Sequence, residues 1–177
     1  MFDYFFTPIL LAIGLIILLV HRRNHSTKFG APFVPLEPDV VTRILKLADI
    51  KKGETFFDLG SGDGRLVIAA AMMGAKAYGV EIDQLRVWYS RLWIYLLGLK
   101  NNATIIQKNI FDVDLSDADV ITAYLLQETN EALMPKLKKE TKKGARVLGI
   151  AFNFPEWKPT IIDRRGPVYG PIYLYRR

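Results

Sequence analysis

Short β-branched apolar segments alternate with longer segments of helical periodicity along most of the chain. Helices are predicted at residues 38–48, 65–73, 84–98 and 130–141. Strands are predicted at residues 54–59, 77–80, 104–107, 119–123, 145–151, 160–164 and 172–175. Strands that alternate with helices predict an α/β fold, in which a parallel sheet has helices on both faces. The last two strands follow each other without a helix, so they are predicted to form an antiparallel hairpin at the end of the sheet.

A glycine-rich turn follows the first predicted strand and contains Gly60, Gly62 and Gly64. In an open α/β sheet this first strand-to-helix turn lies at the carboxyl edge, where ligands bind. The spacing is GxGxG, and Arg65 occupies the place of the third glycine of a dinucleotide-binding turn. Asp58 precedes the first glycine and places a carboxylate beside the site. A carboxylate there suits the ammonium of a methionine moiety and suits a pyrophosphate poorly.

A second carboxylate, Glu81, ends the next strand, 23 residues beyond Asp58. An acid at this position accepts hydrogen bonds from both hydroxyls of a ribose. The alternative is that the glycines form a purely structural turn and that Glu81 is a solvated strand end. A nicotinamide-dependent oxidoreductase is a different reaction class, and Arg65 in place of the third glycine argues against it.

An uncharged apolar segment precedes the predicted α/β domain and covers residues 4–20. As a helix it spans roughly 25 Å, slightly less than a hydrocarbon core of about 30 Å, and the flanking aromatic and basic residues extend it. We therefore expect a transmembrane anchor at residues 1–23, a polar linker at 24–31 and a catalytic domain at 32–177. The basic residues after the segment predict a single-pass membrane protein with its catalytic domain on the cytoplasmic side. A buried core helix is the alternative, but it would need a polar face.

The composition of the chain excludes several kinds of site and partner. The chain has no cysteine, which excludes disulfides, thiolate metal sites and methylation of a pyrimidine through a cysteine adduct. The acids are spread over several elements without ligand spacing, so no metal site is expected. The net charge of +6 favours anionic neighbours, either lipid headgroups or nucleic acid, and a solvated basic face is the alternative. The basic run at residues 136–143 has no interleaved aromatic residue, so a nucleic-acid partner is not expected.

Residues 58–64, followed by Glu81, resemble the cofactor-binding segment of class I methyltransferases that depend on S-adenosylmethionine (SAM). The chain is similar in particular to a small branch of protein-lysine methyltransferases, which contains archaeal enzymes and the mitochondrial enzymes that methylate the ATP synthase c-subunit. The resemblance is carried by residues 32–35, 58–65, 133–137, 144–147 and 152–159. It implies a Rossmann-like seven-stranded sheet, SAM as the cofactor and a protein lysine as the methyl acceptor. The N-terminal apolar segment resembles that of the mitochondrial members and implies a membrane or membrane-proximal protein substrate.

The resemblance also implies which residues bind the cofactor. These are Asp58, Gly60, Ser61, Gly62, Gly64, Glu81 and Asn109. Asn109 stands where the family usually has an aspartate that contacts the adenine amino group, and its amide carbonyl can accept the same hydrogen bond.

Aromatic residues are the candidates for the acceptor channel. Tyr124 and Trp157 are implied to line it, since aromatic faces hold an amine and exclude water. Phe152 is a third candidate by position, although packing in the core is its expected role. Glu128 and Asn130 follow Tyr124 and are candidates to orient the amine, with capping of the following helix by Thr129 or Asn130 as the alternative.

The predicted helix at residues 84–98 is apolar around most of its circumference. One stripe is expected to cover the sheet, namely Leu85, Trp88, Tyr89, Leu92, Tyr95 and Leu96. Val87, Ile94 and Leu97 fall on the opposite side, with Trp93 at its margin, and are expected to rest on the membrane or on a partner. A helix that is buried on most sides is the alternative.

Other functions stay open at this point. A methyltransferase for a lipid or quinone-like small molecule fits the same turn and anchor, and so does a membrane-tethered SAM-binding module without activity. No Asn-Pro-Pro-Tyr motif follows the fourth predicted strand. Its absence disfavours methylation of exocyclic amines on adenine or of glutamine.

Overall fold

Residues 32–165 and 169–177 are described by a computed structural model of the chain. The α-helices there are α1 (Pro38–Ala48), α2 (Arg65–Met72), α3 (Gln84–Leu96) and α4 (Gln127–Glu140). The strands are β1 (Thr55–Leu59), β2 (Lys76–Glu81), β3 (Ala103–Gln107), β4 (Val120–Ala123), β5 (Arg146–Ile150), β6 (Ile161–Asp163) and β7 (Ile172–Arg176). A 3-10 turn, Ile110–Asp112, follows β3.

The strands form one sheet in the order β3-β2-β1-β4-β5-β7-β6. The first five in sequence pair in parallel, because helices or long connections return the chain to the same edge after each strand. β7 is antiparallel to both of its neighbours, β5 and β6. The predicted seven-stranded sheet and its terminal hairpin are therefore confirmed.

Both faces of the sheet are apolar and covered by helices. On one face Phe56, Leu148 and Leu174 belong to a buried cluster that includes residues of α1, α2 and α3. Tyr175 points to the other face, since successive strand residues alternate. Arg177, on the same side as Tyr175, donates a hydrogen bond to a carbonyl of α4, 3.1 Å away. The prediction of helices on both faces is confirmed.

The side of α3 that faces the sheet is opposite to the predicted side. Val87, Ser90 and Ile94 are buried, whereas the stripe expected to cover the sheet is exposed, from 44% at Leu85 to 68% at Trp88. The reason is the small size of Ser90. This residue lies so close to the glycine turn that a Cβ added at Gly64 would be 2.9 Å from the Ser90 Cβ. Only a helix side with a small residue can approach that turn, so the prediction for this helix was wrong.

The orientation of α3 can be tested with two aliphatic residues of similar volume. Ile94→Ala is expected to lower the free energy of unfolding by about 2–3 kcal/mol, because the side chain is 4% exposed and its removal leaves a cavity. Leu92→Ala is the matched control and should cost less than about 1 kcal/mol, since Leu92 is 54% exposed. Urea unfolding of both variants measures the difference. The reverse order of the two costs would contradict the observed orientation.

In the ranges that the structure describes, every helix is too short or too polar to cross a membrane. The longest, α4, has 14 residues and contains several charges, and at about 1.5 Å per residue it spans roughly 21 Å of the about 30 Å required. The predicted anchor at residues 1–23 and linker at 24–31 lie outside the described residues. The prediction of a transmembrane helix, and with it of a single-pass membrane protein with a cytoplasmic catalytic domain, is corrected on this finding.

Candidate functional site

The candidate site lies at the carboxyl edge of the sheet, where β1 has β2 on one side and β4 on the other. The connections from β1 to β2 and from β4 to β5 lead away from this point in opposite directions. Such a switch point leaves a crevice above the strand ends, where ligands of open α/β sheets bind. Asp58 of β1 is paired in register with Thr122 of β4, so both lie at this crevice.

The turn after β1 requires glycine for two separate reasons. Gly60, Gly62 and Gly64 have φ angles of 79°, 55° and 80°, in the left-handed region that side chains rarely adopt. A Cβ at Gly60 would lie 2.8 Å from Leu125 Cδ2, and one at Gly64 would lie 2.9 Å from Ser90 Cβ. The turn therefore keeps its backbone close to the strand ends and free of side chains.

Glu81, the last residue of β2, links the glycine turn to the turn after β2 through hydrogen bonds. Its carboxylate is 5% exposed and accepts a hydrogen bond from the backbone N–H of Gly62 at 2.9 Å. The other oxygen accepts from the backbone N–H groups of Ile82 at 2.9 Å and Asp83 at 2.8 Å. The guanidinium of Arg86 is 3.8 Å from the same oxygen. The acid is thus fixed in position, with its charge compensated by fixed donors.

Asp58 is a buried acid of a different kind. Its side chain is 4% exposed, and its Oδ1 is 2.7 Å from the hydroxyl of Thr122. Burial raises the pKa of Asp58 to about 7; the Thr122 hydrogen bond opposes this rise, and the negative charges of Glu81 and Asp63 add to it. A cation placed in the crevice would stabilise the ionised form of this acid.

The turn carries a second acid, Asp63, which is bound to Arg65. The Arg65 Nε atom donates to Asp63 Oδ1 at 2.8 Å, and another nitrogen of the same guanidinium donates to the carbonyl of Leu36. Arg65, absent from a dinucleotide-binding turn, thereby connects the start of α2 with the segment before α1.

The side chains of two predicted cofactor residues, Ser61 and Asn109, contact other parts of the protein. The Oγ atom of Ser61 would be 2.6 Å from a Cβ at Gly79, so this side chain faces β2. Asn109 is exposed, and its Oδ1 accepts from the backbone N–H of Phe111 at 3.1 Å. Asn109 follows β3, whose last residue Gln107 pairs with Glu81, so it is placed near that acid. Its contact with adenine stays a prediction.

The structure separates the two predicted acceptor-channel residues. Tyr124 directly follows β4 and is half-buried at the crevice, where burial and then the nearby Tyr169 raise the pKa of its phenol. The Trp157 ring instead contacts the rings of Phe154 and Tyr175, with centroids 5.9 Å apart in each case. Arg177, beside the amino end of β5, stacks over Trp157 at 4.7 Å. Trp157 is therefore not brought to the carboxyl edge.

The neighbouring candidates also differ from expectation. Phe152 is 37% exposed, not a core residue. α4 begins at Gln127 without a side-chain cap, so Asn130 lies inside the helix and does not cap it. The buried Asn130 Nδ2 atom donates to the carbonyl of Phe152 at 3.2 Å, which ties the first turn of α4 to the loop after β5. Glu128 is exposed.

Sequence reasoning missed Thr122 and Ser90. Thr122 is the polar residue within the otherwise apolar β4 and is fully buried; a buried hydroxyl needs a hydrogen-bond partner, which was the available signal. Ser90 is a small residue among the large side chains of α3, and such a residue marks a close approach. Neither signal identifies the partner, because Asp58 and Gly64 lie 64 and 26 residues away in the sequence.

These residues fit a sulfonium nucleoside with an amino-acid tail. The ionised form of Asp58 matches an ammonium. Glu81 Oε2 accepts one backbone N–H and can accept a ribose hydroxyl with its other lone pair. The glycine at position 60 leaves room where a side chain would collide with Leu125. When bound, SAM supplies an electrophilic methyl group, so that the protein has only to align an acceptor.

Comparison with known proteins gives the same result. The family described as the ANTKMT methyltransferase domain matches residues 58–161. A protein-lysine N-methyltransferase of Saccharolobus islandicus (strain REY15A) is 39% identical over 81% of this chain and 92% of its own length. The human lysine N-methyltransferase of the ATP synthase c-subunit is 33% identical over 78% of this chain, which covers 59% of the human enzyme.

A solved structure supports the same family in its fold and in its cofactor. The RNA methyltransferase from Salinibacter ruber, in complex with S-adenosyl-L-homocysteine (SAH), superposes with a TM-score of 0.76 and 35% identity. The match covers 81% of this chain and 93% of that one. The resemblance found in the sequence is thus confirmed, with SAM as the cofactor. The chain belongs to the family of the ANTKMT methyltransferase domain, and it is a SAM-dependent methyltransferase.

Proposed function

We propose that the protein transfers the methyl group of SAM to the side-chain amine of a lysine in a protein substrate. The observation that carries this proposal is the crevice at Asp58 and Glu81, found in a chain whose curated relatives are named as lysine methyltransferases. Asp58 would bind the ammonium of the methionine moiety and Glu81 the ribose. Asn109 would contact the adenine.

The residues of the chain contribute to the reaction by binding the lysine amine and by excluding water from it. A lysine attacks only as the neutral amine, whereas its ordinary pKa is about 10.4, and desolvation beside a positive sulfonium lowers that pKa. Tyr124 lies half-buried after β4, and its raised pKa keeps the phenol uncharged. It would line the acceptor channel, hold the amine against its ring and keep water out. Trp157 is not part of this proposal, because its ring packs against Arg177.

The test is transfer of label from radioactive SAM to a protein extract by the purified protein. We expect label in protein, recovered as methylated lysine after acid hydrolysis, from the parent protein and from Asp117→Asn, a matched change at an exposed acid. Asp58→Asn should lose most of the transfer. Label on other amino acids, or only in the lipid fraction, would refute lysine as the acceptor. Separating soluble from membrane proteins in the same extract tests the prediction of a membrane-associated substrate.

RNA is a second candidate acceptor, favoured by two observations. The similar protein from Salinibacter ruber is described as an RNA methyltransferase, and the net charge of +6 would attract a polyanion. Ribonuclease and protease treatment of the labelled extract distinguishes the two acceptors. Label that ribonuclease releases and protease does not would replace the lysine proposal with the RNA one.

A further inference from the structure

The hydroxyl of Thr122 faces two acceptors with a single proton. Its Oγ1 atom is 2.7 Å from Asp58 Oδ1 and 3.3 Å from the carbonyl oxygen of Phe57. The residue is fully buried, so water does not provide an additional partner. If Asp58 is ionised, the hydroxyl donates to the carboxylate; if Asp58 is protonated, the acid donates to Thr122, whose own proton is then free to bond the Phe57 carbonyl.

The charges around Asp58 favour the protonated form in the absence of a ligand. Glu81, at the end of β2, and Asp63, in the glycine turn, both add negative charge near the acid. The arginines of the neighbouring helices are bound to these two acids, with Arg65 on Asp63 and Arg86 3.8 Å from Glu81. Burial, and after it the negative charges of Glu81 and Asp63, raise the pKa of Asp58 to about 7 against the opposing hydrogen bond of Thr122, so that at pH 6 most molecules hold the proton.

We propose that Thr122 is the positioning residue that lets Asp58 release its proton when SAM binds, by turning its own hydroxyl from the Phe57 carbonyl to the newly formed carboxylate. This inference rests on the proposed role of Asp58 as the ammonium-binding acid. It adds that cofactor binding is coupled to the release of a proton, and that a hydroxyl on the neighbouring strand supports both states of the acid.

The proton balance of this step is simple. Before binding, Asp58 carries a proton and donates it to Thr122 Oγ1, while the Thr122 hydroxyl donates to Phe57. On binding, the Asp58 proton passes to solvent, the Thr122 hydroxyl rotates toward Asp58 Oδ1, and the acid becomes the negative partner of the ammonium. One O–H bond of Asp58 is broken, and no other covalent bond changes.

Titration calorimetry in buffers of different ionisation enthalpy counts the released protons. At pH 6 the amino group of SAM is already protonated, so a proton that appears in the buffer comes from the protein. We expect release of nearly one proton per SAM at pH 6 and of about half a proton at pH 7, where about half of the Asp58 groups are already ionised. 5′-Methylthioadenosine has no ammonium group and should bind at pH 6 without proton release. Tight binding of SAM at pH 6 with no proton release would overturn the inference and leave the proposed site intact.

Substitutions at position 122 test the part played by the hydroxyl. Thr122→Ser keeps the hydroxyl and should retain both the affinity for SAM and the proton count. Thr122→Val keeps the shape and should lower SAM affinity by about 10- to 100-fold, since a hydrogen bond to a charged group is lost, while 5′-methylthioadenosine binds as before. Equal SAM affinity of the serine and valine variants would refute the role of Thr122. Absence of SAM binding by the folded parent protein at any pH would instead refute the proposed site itself.

Discussion

Asp58→Asn is expected to weaken SAM binding by at least about 100-fold while the protein stays folded. Asparagine has nearly the same shape but cannot become negative, and an unmatched ammonium in a buried site costs several kcal/mol. Asp58 is 4% exposed, so solvent cannot take its place. Calorimetric titration with SAM at pH 7, where most of its amino groups are protonated, measures the loss. Asp117→Asn, at an exposed position, controls for the general effect of removing one acid.

Asp58→Asn should also stabilise the enzyme against unfolding in the absence of SAM, and the gain should depend on pH. The folded pKa of Asp58 is raised from 3.8 to about 7, so the folded protein holds a proton that the unfolded chain releases. Wild-type stability is unaffected below about pH 4, falls as the pH rises from about 4 to 7, and is then constant. Asparagine avoids this loss, which is on the order of 2–4 kcal/mol. A stability difference at pH 4 as large as that at pH 8 would contradict this account.

Gly64→Val is expected to lower the free energy of unfolding by about 5 kcal/mol. Valine is strained at a φ of 80°, because a β-branched side chain is a poor fit to the left-handed region. Its Cβ would also lie 2.9 Å from Ser90 Cβ, and relieving that contact moves α3 away from the glycine turn. Urea unfolding at pH 7 measures the cost.

Gly53→Val is the matched control, since its φ is 85° and no atom lies within 4 Å of a Cβ added there. It should cost only the backbone strain, about 2 kcal/mol. Ser90→Gly combined with Gly64→Val should recover part of the additional loss, as expected for residues in contact. Equal costs at Gly53 and Gly64 would show that the contact with Ser90 contributes nothing.

The local part of the site could be predicted from the sequence. Asp58, the three glycines and Glu81 lie on consecutive elements, and parallel strands bring their carboxyl ends to the same edge whatever the rest of the chain does. The order of strands and helices was accessible for the same reason. Such features depend on short-range patterns and on a few general rules of chain topology.

The features that sequence reasoning missed depend on which surfaces meet. α3 is apolar on most sides, so its pattern fits two orientations, and the small Ser90 decides between them by meeting Gly64. Thr122 acquires its role only because β4 lies beside β1. Trp157 was assigned by position in a loop, and the Arg177 side chain that holds it comes from the last residue of the chain. Each outcome rests on a contact between distant segments.

The fixed carboxylate of Glu81 has a consequence for turnover. Its oxygens are held by Gly62, Ile82 and Asp83 before any ligand arrives, so a ribose bound there would meet a rigid partner. Under the proposed assignment, Glu81 and Asp58 both contact parts of the nucleoside that are the same before and after the methyl group leaves. The spent cofactor should therefore compete strongly with fresh cofactor, and the cell would have to remove SAH for the enzyme to keep working.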